Sequence, residues 1–258
     1  MISPTTSFSY FWILTTIYFV MKYFLLDKYK VKKNPPNKSL SIGLLVAYLA
    51  IMVSLQLSAN ISNAKEKCGG NPQTAPAIMY TLIPNIFIFG VLLVGLLLFP
   101  GWKAPFSNTI GYLIVCLPFM KIKDIFNNML IPSSTSTGTN KLLKLVYEDP
   151  SIMINQIVPE KIDLFFQKMR TPPNSILTSN STIFNENFPK LHDLVVIKDS
   201  IAEYIWYLLT GALVISNSYS YIMSITCKRK ASELQGKLDA IFENPKKEPK
   251  KQKWIMGY

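Results

Sequence analysis

His192 is the one histidine of the chain, and it is the first place to look for chemistry. An imidazole can move protons or hold a metal, but either task needs partners. No cysteine or second histidine stands at a metal-ligand spacing from it. The two aspartates that flank it have no spacing that a catalytic set would use. Cys68, Cys116 and Cys227 show neither metal spacing nor an even-numbered framework. Cys116 lies in an apolar run. Cys227 stands at a helix end before Lys228, Arg229 and Lys230 and reads as an interfacial thiol, with palmitoylation as the alternative. A glycine-rich phosphate loop and a G-x-S-x-G nucleophile turn are both missing. The expectation is a chain that is not an enzyme and uses no cofactor or metal.

The elements that must position these residues are unusual. Four apolar runs, Ser7–Leu26, Leu40–Ser58, Ala77–Phe99 and Ala202–Thr226, hold about a third of the 258 residues. A helix rising 1.5 Å per residue needs ~20 such residues to cross a ~30 Å hydrocarbon core. Lipid offers the backbone no hydrogen bonds, so such runs become helices. The composition agrees: 49% of residues are hydrophobic and 16% are charged, against roughly 25% charged in soluble domains. The fold class expected is an all-α polytopic membrane protein, a bundle of four to five transmembrane helices with a small, mostly helical extramembrane region. Residues 1–120 carry spans at 7–26, 40–58 and 77–99, and a possible short span at 106–122. Residues 121–201 form a polar region, 202–226 the last span, and 227–258 a basic tail. Met1–Tyr10 has no Lys or Arg, so the first run reads as a retained anchor rather than a cleaved signal. Pro84 and Asn85 predict a kink in the third run.

Charge placement orders these spans. The net charge of +12 is concentrated in Asp27–Lys38, with five Lys and one Asp, and in the tail after Thr226, with nine Lys/Arg and four acids. Lys-rich loops favour the cytoplasmic side, and such segments also suit anionic lipid. If 106–122 crosses, both basic stretches share one side, with region 121–201 and the sequons at Asn60 and Asn180 on the other. That argument favours five spans over four.

Within the polar region, Pro159–Arg170 predicts a helix: Pro159 suits its first turn, Glu160 its positive end, and Lys168 and Arg170 its negative end. Leu194–Ile197 reads as a short strand, Ser133–Asn140 as a linker, and Ala231–Phe242 as a short amphipathic helix. In the spans, Lys22 and Glu203 lie near helix ends and can reach the interface. Gly43 and Ala47 form a small-xxx-small pair, and Ser216, Asn217, Ser218 and Ser220 cluster in the last run. Gly43, Ala47, Ser216, Asn217 and Ser220 read as helix-packing positions.

Pro100-Gly101-Trp102-Lys103-Ala104-Pro105-Phe106-Ser107-Asn108-Thr109-Ile110-Gly111-Tyr112 resembles a segment in membrane proteins of large icosahedral double-stranded DNA viruses. Glu203–Gly211, continuing into Asn217–Tyr221, resembles a second segment of the same proteins. The chain is similar over about a quarter of its length to the membrane-embedded minor capsid proteins of chlorella-virus-type particles. The resemblance implies a structural role: a virion protein of the internal membrane, present in host endomembrane during assembly, that links lipid to the capsid lattice. Its partners would be the bilayer, other capsid and minor capsid proteins, and anionic lipid through the basic segments, with no direct nucleic-acid binding. Docking to partner or membrane falls to Trp102, Phe106, Asn108, Lys228, Arg229, Lys230, Trp254 and Tyr258. The alternatives are a channel or small-solute transporter, and an endomembrane adaptor with a basic cytosolic tail.

Overall fold

A computed structural model describes residues 2–27, 38–71, 73–131, 146, 148–171, 176–178, 180–227, 235–236 and 238–239. The described residues are almost entirely helical, with a single isolated bridge between Leu130 and Leu177. Three helical segments, Pro4–Asp27, Lys38–Lys67 and Thr74–Leu98, are long and apolar enough to cross a membrane.

The first segment is α1 (Pro4–Lys22), extended by a wider π-type turn over Tyr23–Asp27. Ser3 caps it by accepting from Thr6 N–H, and Pro4 occupies the first turn, where its missing N–H costs nothing. Next comes α2 (Lys38–Lys67), longer than the apolar run that predicts it. Its last three turns are polar, and Asn60 and Asn63 turn inward. Gly69 and Gly70 then take φ of +64° and +93°, which lets the chain reverse at once. The third segment is α3 (Thr74–Pro84) and α4 (Gly90–Leu98), joined by a π-type turn at Asn85–Phe89. The irregularity falls at Pro84–Asn85, where the kink is predicted. Pro84 has no N–H for the ladder, and Asn85 Nδ2 bonds back to Thr81 O at 2.8 Å.

The stretch 106–122 is not one helix. It breaks into α5 (Ala104–Phe106), a π-type turn at Ser107–Gly111, α6 (Tyr112–Val115) and a 3-10 turn at Pro118–Met120. Lys121, at φ +51°, ends it before α7 (Ile122–Met129). The helix predicted at 159–170 is present as a 3-10 turn followed by α8 (Ile162–Arg170). The strand expected at 194–197 is helix instead. It lies inside α9 (Ser181–Ser224), 44 residues that join the polar region to the last apolar run without a break. At 1.5 Å per residue α9 is ~66 Å long, about twice a hydrocarbon core.

Two cores flank α9. The bundle core packs Phe11, Tyr18 and Phe19 with Tyr48, Met52, Phe89, Tyr207 and Val214. The polar unit has its own core, including Ile122, Phe126, Met129, Ile154, Phe166, Leu191 and Val195. Val115, from the stretch expected to span, belongs to this second core. Tyr112, Cys116 and Met120 of the same stretch pack against that core as well.

Candidate functional site

The bundle has two distinct ends. At one, Ile2 N–H donates to Asn63 Oδ1 at 2.6 Å, and Cys68 is disulfide-bonded to Cys227. Lys67 Nζ donates to the carbonyls of Met223 and Ile225, closing the C-terminus of α9. At the other end lie Asp27, Lys38, Leu98 and the start of the polar unit. The disulfide corrects two expectations. Cys227 is neither a free thiol nor a palmitoylation site, and the tail starts at the end that carries the α2–α3 turn. The cross-link spans 159 residues, a separation for which sequence spacing carries no signal.

The joint between bundle and polar unit is the most elaborate polar site. Lys22 Nζ donates to Glu203 Oε1 at 2.7 Å, tying α1 to α9. One turn earlier on α9, Lys103 pairs with Asp199, and Glu160 lies 4.0 Å from the same ammonium. Trp206 Nε1 donates to Trp102 O at 2.9 Å, and Phe106 meets the Trp206 ring edge-on at 5.1 Å. Lys198 is 1% exposed; its Nζ donates to Ile154 O at 2.7 Å and to Asn108 Oδ1 at 3.2 Å. Gly111 admits this contact: a Cβ there would stand 2.7 Å from Lys198 O. Trp102 itself packs over Gly95, where a Cβ would meet the indole at 2.6 Å, and stacks on Phe99.

Burial sets the electrostatics of this joint. Desolvation lowers Lys198 from its ordinary value near 10.5 to about 8, opposed only by the neighbouring Asp199 carboxylate. Desolvation likewise raises Asp199, against the pull of Lys103. Each group is shifted toward its neutral form, as expected where charges are held for geometry. Among the described residues no cluster of three His, Cys, Asp or Glu could hold a metal. His192 is buried in the polar unit beside the Phe188 ring.

The two sequence stretches singled out above, 100–112 and 203–211, therefore meet face to face, about 100 residues apart in the chain. Trp102, Phe106 and Asn108 are internal to this joint on one side and half or fully open on the other. Lys228, Arg229, Lys230, Trp254 and Tyr258 lie outside the described residues, as do the linker 133–140 and most of the tail helix 231–242. The packing positions fall differently from expectation. Gly43, Ala47, Ser216 and Ser220 are exposed, on outward faces of α2 and α9, and Asn217 is half-buried. Close packing is done by Gly211, where a Cβ would run into the Phe11 ring, and the inward serine is Ser218. An apolar run has the same character on every face, so spacing alone does not say which face turns in. Asp199 and the anchoring role of Lys198 are nearly silent in the sequence. Their one signal was a pair of adjacent opposite charges just before an apolar run. No protein-family model, curated protein or solved structure matches the chain.

Proposed function

We propose that this chain is a structural membrane protein that fastens a bilayer to a protein layer, and specifically a minor capsid protein of the internal membrane of a large icosahedral DNA virus. The observation that carries the reading is α9: one helix runs from the core of the polar unit into the core of the bundle. A force on the polar unit is thereby passed to the lipid-facing helices through a rigid element and a joint of ion pairs and stacked rings. The virion assignment rests on the resemblance of 100–112 and 203–221 to such proteins.

In this reading the C-terminal half of α9 is a fourth span. Four crossings put the Lys-rich loop 27–38 and the polar unit on one face, and the disulfide and tail on the other. Two independent rules agree on the sides. A Lys-rich loop favours the cytosol, and a disulfide favours an oxidising compartment. The polar unit then faces the side where soluble capsid subunits assemble. Asn180, which caps α9 with its side chain, stays unglycosylated on that face, and protease added to sealed vesicles from the cytosolic side cleaves the polar unit but not the tail.

The decisive experiment is particle purification. The protein should co-purify with virions at fixed stoichiometry, resist high salt, and leave with capsid fragments when detergent dissolves the membrane. Recovery from infected-cell membranes alone, never from particles, rejects the capsid assignment.

A further inference from the structure

Ser218 lies in the Ser216–Ser220 cluster of α9 and is 2% exposed, yet its Oγ has no hydrogen-bond partner within the protein. It borders a small, partly open gap lined by Ser7, Gln56, Asn60, Ile215, Ser218 and Tyr219. Three helices, α1, α2 and α9, thus each contribute a polar side chain to one small space. The gap offers about 10 Å³ to a water-sized sphere, close to the ~10–15 Å³ that a single water needs. An apolar lining would leave such a space dry; a polar one with two to four partners does not.

We propose that this gap is a binding site for one structural water that joins α1, α2 and α9 near the disulfide end of the bundle. The water accepts from Ser218 O–H and donates to Gln56 Oε1, which already accepts one bond from Asn85 Nδ2 at 2.8 Å and keeps a second lone pair. Asn60, whose Nδ2 is engaged with Thr81 at 2.8 Å, and Ser7 complete the wall. The space matches a single water in size. No charged side chain lines the gap, so a cation would be held there without a counter-charge. The site does not depend on the capsid assignment, because it concerns only how the helices hold together.

The test uses the full chain in detergent or in lipid nanodiscs. A structure at a resolution that shows water should place one density peak within hydrogen-bond reach of Ser218 and Gln56; an empty gap overturns the proposal. Thermal unfolding gives a second readout whose sign decides. Ser218→Ala should lower the midpoint by about 2–4 °C, since it removes one of the water's partners. A rise in the midpoint overturns the site, because it means that the hydroxyl was buried bare and its removal relieved the desolvation cost.

Discussion

The bundle and the polar unit solve opposite problems on one helix. In the polar unit the large apolar residues are inside: Phe126, Met129, Ile154, Phe166 and Leu191 are fully buried. In the bundle much of the apolar surface points outward, with Leu97 81% and Phe87 68% exposed, while tyrosines, asparagines and a glutamine turn in. Thr15 Oγ1 meets Tyr48 Oη at 3.0 Å, Asn60 reaches Thr81, and Asn85 reaches Gln56. Water makes apolar burial the driving force for the first core. Against lipid that force would vanish, leaving packing and hydrogen bonds to hold the second core. The comparison teaches that the two cores are built on different principles along one helix, and that the ion pairs at Lys198–Glu203 stand between them.

The largest break in this comparison comes from the polar core. Phe126→Ala or Phe166→Ala should cost about 3–5 kcal/mol and make the polar unit sensitive to limited proteolysis while the bundle stays intact. Phe87→Ala, on an exposed face of the bundle, should change neither. If both kinds of variant destabilise equally, the two regions are one cooperative unit. Next in size is the cross-link. Cys68→Ser should cost about 2–4 kcal/mol, read as a lower unfolding midpoint of the bundle helices, with the polar unit unaffected. Gly211→Ala forces a methyl into the Phe11 ring and should cost about 1–3 kcal/mol by overpacking, again in the bundle alone. The corresponding test at Gly43, which has open space beside it, should be silent.

Lys198 sharpens the boundary by pH. Its folded value is depressed to about 8 from near 10.5, so between these values the unfolded chain binds more protons than the folded one. Stability of the polar unit should then rise as pH increases from 8 to 10.5, and the full penalty is present below pH 8. Lys198→Met should flatten that slope in denaturant titrations of the full chain. The smallest effect belongs to Glu186→Ala. Its pairing with Lys190 at 3.0 Å is an exposed i,i+4 contact worth about 0.3–0.5 kcal/mol, near the limit of detection.

Much of the fold was legible in the chain. The three apolar helices, the irregularity at Pro84–Asn85, and the helix ending at Arg170 all follow from local rules of length, proline geometry and end charges. The sites were less so. Trp102, Phe106 and Asn108 were picked out for docking at the bilayer or a partner, and the structure shows each of them also holding α9 at Trp206 or Lys198. Small residues at Gly43 and Ala47 pointed to a packing seam that the bundle does not use.

Apolar length and composition, properties of consecutive residues, by themselves determined that this protein is helical and has helices long and apolar enough to cross a membrane. Tertiary structure alone decided that Cys68 meets Cys227, that 100–112 packs on 198–206, and that the strand expected at 194–197 is the middle of a 44-residue helix. The physical reason is symmetry. A helix apolar on all sides carries no periodic signal of which face is inner, so its partners, and the few polar groups that bond across to them, are chosen only when the helices come together.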